Sequence, residues 1–183
     1  MVLITGGAAL GWLYTVEWID DNIRHTVRRS AAFAFWFYLA AVTARPLHQL
    51  ARRPWTAKLL RFRRLLGVAF VGVMTAHLML IVMRFTATPG LDYPLARLAA
   101  GGLVYGLIYL LFVTSFDGPT KALGAKAWKR LHRIGIVAIG IVFALPRSSD
   151  EMTDPAKLKF TIPLLVVILL RFIAWQRSKP RDS

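Results

Sequence analysis

The chain has 183 residues, of which 56% are hydrophobic and 18% charged, and this composition is too apolar for an average soluble domain and typical of a membrane protein. Its 24 lysines and arginines against 9 acidic residues lie between long apolar runs, as cytoplasmic loops do beside an anionic leaflet, so we expect a lipid bilayer as partner and no nucleic acid. The absence of cysteine excludes disulfides, thiolate metal sites and iron–sulfur clusters.

Six apolar runs are long enough to cross a bilayer core of about 30 Å as helices. Open sheet edges are not tolerated in hydrocarbon, and no series of alternating ten-residue segments appears, so the sequence predicts an all-α polytopic helical bundle. Short connections, with no internal repeat and no nucleotide-binding motif, predict a single domain over residues 1–183. The apolar runs are residues 2–19, 31–48, 65–84, 95–116, 130–146 and 159–176.

The distribution of basic residues predicts the orientation of this bundle. If the N-terminus is inside, 16 of the 24 basic residues fall on the inner side and 8 on the outer side, which satisfies the positive-inside rule. We therefore expect both termini to face the cytoplasm, with a bacterial inner membrane as the location. The segment from Pro46 to Arg64 is too basic for a span and is expected to form a cytoplasmic loop.

His77 lies in the middle of the third apolar run, about 18 Å from its inner boundary. Ionisable groups inside a membrane are costly and usually mark function. His77 is therefore either a ligand, a proton relay, or a neutral histidine bonded to a hydroxyl such as that of Thr75 or Tyr105. Glycines on the third to fifth runs predict either close helix packing, which Gly102 and Gly106 fit, or a slot for a flat macrocycle such as haem.

Motifs between residues 30 and 145 carry a resemblance to a known family. The most specific are a double arginine with a histidine fourteen residues after its first member, and a Trp-x-x-Leu-His-Arg motif. In this combination the chain resembles the ferric reductase-like transmembrane domain family, and within it bacterial haem-binding membrane subunits. The motifs are Leu39–Thr43, Arg63-Arg64 with His77, Thr114-Ser115, Leu123-Gly124 and Trp128–Arg133.

The resemblance implies a six-helix haem b protein that carries electrons from a cytoplasmic flavin reductase or quinone to an acceptor at the outer face. Axial ligands are expected on the third and fifth spans, where the matching positions are His77 and His132, and a further family histidine is replaced by Leu145. His77 and His132 differ by about 18 Å in depth along the helices, so they cannot ligate one iron. Arg63, near the level of His132, is a candidate partner for a haem propionate.

Several arrangements remain open from the sequence. His77 holds a five-coordinate haem, Tyr105 or Tyr14 supplies a second ligand, or His48 pairs with His132. Because no nucleotide-binding motif appears in the sequence, the electron-transfer hypothesis needs a separate electron donor, either a cytoplasmic protein or a quinone. The basic segments could hold the flavin or quinone head group. A periplasmic redox partner would accept the electrons. The alternative is a haem-free membrane scaffold or partner-binding protein with the same fold. A small transporter ranks last because the middle of the bundle is uncharged apart from His77.

Overall fold

A computed structural model gives the fold of residues 2–88, 94–145 and 158–178, with side chains described between residues 21 and 177. The described residues form five helices and contain no strand, which confirms the expected all-α class. Pro146, the basic residues Arg147, Lys157, Lys179 and Arg181, and the side chain of Tyr14 lie outside the described part of the chain. The helices are α1 (Val2–Leu50), α2 (Pro54–Ala87), α3 (Leu95–Val113), α4 (Asp117–Ala144) and α5 (Leu158–Ser178).

The first two apolar runs form one continuous helix, α1, and not the expected pair of antiparallel spans. The polar residues 20–30 between the runs include no glycine or proline, so nothing in their backbone chemistry ends a helix there. At 1.5 Å per residue α1 is roughly 70 Å long, more than twice the bilayer core. The start of the first apolar run and the end of the second therefore lie roughly 70 Å apart. This differs from the expectation of six spans with both termini on one side.

The expected loop from Pro46 to Arg64 is also mostly helical. Pro46 lies inside α1, and only residues 51–53 separate α1 from α2. The fully buried Thr56 closes this turn: its hydroxyl donates to the Ala51 carbonyl at 2.7 Å and accepts from the Arg53 amide at 3.2 Å. Pro54 begins α2, a position at which its missing amide proton costs nothing. The basic residues thus lie on the last turns of α1 and the first turns of α2, beyond the apolar runs.

Three of the helices in the described ranges are long and apolar enough to cross a membrane: Pro54–Ala87, Leu95–Val113 and Leu158–Arg177. Their outward faces carry large apolar side chains, with Leu103 77% and Ile168 63% exposed. Patches of this kind are rare on soluble monomers and are the normal surface of a helix in lipid. The chain is therefore a membrane protein.

The interior is an aromatic core that joins four helices. Phe35 of α1 is fully buried, with its ring centroid 5.3 Å from that of Phe143 in α4 and 5.0 Å from that of Phe160 in α5. Tyr38 lies one turn further along α1, 5.9 Å from the Phe70 ring of α2. These edge-on and tilted contacts are the geometries that aromatic pairs prefer. They fix α1 in the centre of the bundle.

The short connections 51–53 and 114–116 lie at the same end of the bundle, because α2 and α3 run in opposite directions between them. Phe160 near the start of α5 contacts Phe35 of α1, and Arg171, eleven residues later, interacts with Arg45 further along α1, so α5 runs in the direction of α1 and also ends there. We call this the basic end, since most of the described basic residues lie at it. They are Arg45, Arg52, Arg53, Lys58, Arg61, Arg63, Arg64, Lys121, Lys126, Lys129, Arg130, Arg133, Arg171 and Arg177.

Candidate cofactor cavity

A cavity of about 420 Å³ lies between α1, α2, α3 and α4 at the basic end. This volume is within the range of small-molecule pockets, which are mostly apolar with a few placed polar groups. The wall follows that pattern, since Val42, Val71, Ile108 and Ile139 supply apolar surface. The polar and aromatic residues that line it are Tyr38, Arg61, Arg63, Arg64, Phe70, Phe112, Ser115, Trp128 and His132.

The turn between α3 and α4 positions the aromatic pair of this wall. The Thr114 carbonyl accepts hydrogen bonds from Trp128 Nε1 and from Thr120 Oγ1, each at 2.7 Å. The Trp128 ring then lies against the His132 ring, with 4.4 Å between centroids and 32° between planes. Gly124, whose φ of +73° favours glycine, sets the kink in α4 that begins the segment carrying both rings.

The protonation of the His132 ring follows from its partner. Thr114 Oγ1 is buried, lies 2.7 Å from the Leu110 carbonyl and 3.1 Å from His132 Nε2. If the single hydroxyl proton is directed at the Leu110 carbonyl, the hydroxyl accepts from Nε2–H of His132. The lone pair of the neutral ring is then on Nδ1, so a metal in the cavity would bind Nδ1 or require Nε2 to leave Thr114.

Arginines of α2 surround the mouth of the cavity. The half-buried Arg63 donates from Nε to the Ala41 carbonyl of α1 at 3.2 Å. Arg64 lies over the Phe116 ring at 5.7 Å and 3.9 Å from the Asp117 carboxylate. Both members of that ion pair are well exposed, so it contributes little to stability. The mouth therefore keeps a positive field that favours an anionic substituent on whatever enters.

His77 lies elsewhere, on the middle of α2, and is 9% exposed. Its Nδ1 is 2.9 Å from Ser30 Oγ of α1, and that hydroxyl is also 2.9 Å from the Val27 carbonyl. Ser30 donates to Val27 and accepts from Nδ1–H of His77, which leaves the lone pair on Nε2. Bonding to a hydroxyl was one of the three interpretations of His77; the hydroxyl found is that of Ser30, while Thr75 is bonded to Tyr109 at 3.0 Å.

The structure does not bring the two candidate ligands together. His132 lines the cavity at the level of Arg63, whereas His77 lies fourteen residues further along α2, about 20 Å by helix rise. His48 is bonded to Thr56 at 3.1 Å, in the α1–α2 turn and away from the cavity wall. Leu145 is 57% exposed beyond the end of α4. In the described ranges no three His, Cys, Asp or Glu residues form a group that would hold a metal ion.

The glycines divide between packing and open space. A Cβ on Gly135 would lie 2.7 Å from a Leu111 methyl carbon, and one on Gly140 would lie 2.7 Å from the Tyr38 hydroxyl. Close packing is therefore confirmed at these two positions. A Cβ on Gly67, which lines the cavity, would meet nothing within 4 Å. The same holds for Gly102 and Gly106, so the interpretation of this pair as a close-packing motif within the described bundle was wrong.

These features decide how well a haem fits the residues present. The apolar wall, the open space at Gly67 and the three arginines of the mouth fit a flat group with acidic substituents. Within the described lining, the donor set offers one histidine, His132, and no histidine opposite it. The cavity therefore fits a haem held from one face, with the arginines as donors to its propionates.

The fold and the cavity define a class of protein: a helical membrane protein with a cavity that contains a histidine and has arginines at its mouth. Comparison with known proteins shows which members of this class the chain is similar to. The chain is 26% identical over 171 residues to the protein-methionine-sulfoxide reductase heme-binding subunit MsrQ of Herminiimonas arsenicoxydans, covering 89% of this chain and 77% of the relative. It is 27% identical over 178 residues to the MsrQ of Polaromonas naphthalenivorans (90% and 78%) and over 192 residues to that of Xanthomonas oryzae (96% and 84%).

No family model matches the sequence, and no solved structure matches it. The resemblance to MsrQ is therefore supported by distant relatives along almost the whole chain, while membership of the ferric reductase-like family stays a prediction.

Proposed function

We propose that the chain is a haem-binding membrane subunit that transfers electrons, and that the haem occupies the cavity beside His132. The observation that carries the proposal is the composition of that cavity: one histidine, one stacked tryptophan and three arginines around an otherwise apolar space. The relatives named as haem-binding subunits support it independently. When bound, a haem supplies one-electron redox chemistry, and its b type follows from the resemblance stated above.

The residues of the chain have separate roles in this proposal. His132 would hold the haem through a ring nitrogen, and Trp128 and Thr114 would fix the plane and tautomer of that ring. Arg61 and Arg63 would orient the propionate edge of the haem towards the basic end, and the Ala41 carbonyl holds Arg63 in place for this role. The apolar wall excludes water.

We propose that His77 would hold a second haem, about 20 Å deeper than the first. Metal-bound histidines usually donate their other ring N–H to a fixed acceptor, and Ser30 is such an acceptor for Nδ1–H. Two positions at different depths would carry electrons across the bilayer in two steps, whereas a single iron cannot be shared by the two histidines.

The orientation is proposed from charge. We place the basic end in the cytoplasm, where a flavin reductase or quinone would donate electrons, and residues 20–30 on the outer side. The C-terminus is then cytoplasmic, in a bacterial inner membrane. The outer acceptor would be the remainder of a methionine sulfoxide reductase, by analogy with the names of the relatives.

One observation favours a second candidate, a haem-free scaffold that keeps the fold. Both histidines already have a hydroxyl partner, Thr114 for His132 and Ser30 for His77, and the position of the further family histidine is an exposed leucine. Histidines satisfied in this way need no metal. Such a protein would act by binding a partner of the reductase.

Absorption spectroscopy separates the two candidates. The protein purified in detergent without added haem should show a Soret band and a reduced-minus-oxidised difference spectrum. Carbon monoxide should shift the reduced spectrum, since a haem held by one histidine has an open axial position. A folded, colourless preparation that neither reconstitutes with added haem nor transfers electrons, but co-purifies with another protein, would support the scaffold and contradict electron transfer.

A further inference from the structure

Four arginines from four different helices converge on one side of the bundle. They are Arg45 of α1, Arg63 of α2, Arg133 of α4 and Arg171 of α5, which we call the arginine cluster. Arg45 lies about 8 Å before the end of α1 and Arg171 about 10 Å before the end of α5. Arg63 lies about 13 Å after the start of α2. Arg133 directly follows His132, which lines the same cavity as Arg63, so the four residues lie at similar depth near the basic end.

The arginines act on one another electrostatically. The charge of Arg63 interacts with those of Arg171 and Arg45, and the charge of Arg171 also interacts with that of Arg133. Arg63 and Arg171 are half-buried, while Arg45 and Arg133 are exposed. The Nε bond from Arg63 to Ala41, one turn before Arg45 on α1, holds the first guanidinium towards the others.

No carboxylate of the described chain lies within ion-pair distance of the cluster. The ion pair found there joins Arg64 to Asp117, on the other side of the α2 end. Arginine does not lose its proton in proteins, so the four positive charges persist and repel one another in the partly desolvated interface. A bound anion would offset that repulsion.

We propose that the arginine cluster binds the phosphate of an anionic phospholipid headgroup. Guanidinium groups bind phosphate oxygens through paired N–H donors, and basic pockets between helices at the membrane surface bind lipid headgroups. On α5, Ile168 lies one turn before Arg171 on the same face, on the side of the bilayer interior, and is 63% exposed, as are Leu165 at 59% and Phe172 at 53% nearby. These apolar surfaces lie where acyl chains would continue from the phosphate, which favours a lipid over a soluble phosphate. Arg63 also belongs to the proposed haem site, so the test leaves Arg63 unchanged and measures lipid binding separately from haem content.

The test measures lipid binding to the purified full chain in detergent. The probes are phosphatidylglycerol, zwitterionic phosphatidylcholine and inorganic phosphate, each titrated against thermal stability and retention by native mass spectrometry. The double variant Arg45→Gln/Arg171→Gln removes half of the cluster. The matched control Lys126→Gln/Arg177→Gln removes two exposed charges of the same end that lie outside it.

We expect phosphatidylglycerol to bind the wild-type chain and the control variant about equally, and the cluster variant at least tenfold more weakly. Equal weakening in both variants would show a diffuse surface field and overturn the site, as would equal retention of the two lipids by the wild-type chain, a measurement that needs no variant. Equal stabilisation by inorganic phosphate and phosphatidylglycerol, lost in the cluster variant, would keep the anion site but overturn its assignment to lipid.

Discussion

The substitution Gly140→Ala tests the packing around the centre of the bundle. The new Cβ would lie 2.7 Å from the Tyr38 hydroxyl oxygen, which donates to the Ile136 carbonyl at 2.8 Å. The Tyr38 ring cannot easily move because it lies 5.9 Å from the Phe70 ring and 5.8 Å from the Phe143 ring. Overpacking costs about 1–3 kcal/mol, an interhelical hydrogen bond in a membrane contributes about 0.6–1.7 kcal/mol, and alanine gains about 1 kcal/mol of helix propensity.

We therefore expect Gly140→Ala to lower the free energy of unfolding in detergent by about 1–3 kcal/mol. Gly106→Ala is the control, because its Cβ meets nothing within 4 Å. In a Tyr38→Phe background Gly140→Ala should cost less, since the nearest remaining atom of that ring would be Cζ at 3.6 Å. If Gly140→Ala were as harmless as Gly106→Ala, or showed no coupling to Tyr38→Phe, the packing argument would be refuted.

Three further predictions concern the histidines and the topology. Thr114→Val should destabilise the protein by about 0.6–1.7 kcal/mol in thermal unfolding and alter the spectrum of bound haem. The control Thr43→Val should leave the spectrum unchanged, because the Thr43 hydroxyl bonds only within α1. Ser30→Ala should shift one midpoint of a redox titration if His77 is a ligand, and an unchanged titration would argue against that role. A C-terminal alkaline phosphatase fusion should be inactive, and an active one would reverse the proposed orientation.

The sequence predicts the helical class and the charged end well, because both depend on composition along the chain. The apolar runs locate α2, α3 and α5, and the lysines and arginines beside these runs locate the basic end. The prediction of two separate spans in the first two apolar runs was wrong because polarity alone does not end a helix. Residues 20–30 lack glycine and proline, and they are helical in the structure. Hydropathy reports burial in lipid, not the course of the backbone.

The candidate site was predicted only in part, since hydrogen-bond partners depend on three-dimensional packing. His77 and His132 were visible as motif positions, and their separation in depth followed from helix rise. Ser30 as the partner of His77 is 47 residues away in sequence and has no local signal. The same holds for Tyr38, which fills the space at Gly140 from a helix that begins more than a hundred residues earlier.

The most direct test of the central claim is the haem content of purified His132→Ala, measured beside the wild-type chain and His25→Ala, an exposed histidine at the other end of the bundle. We expect the wild-type chain and His25→Ala to carry the same haem per polypeptide, and His132→Ala, still folded and in the membrane, to lose the haem beside Trp128. His77→Ala would report separately on the deeper position. Unchanged haem content and spectrum in His132→Ala would contradict the assignment of the cavity as the haem site.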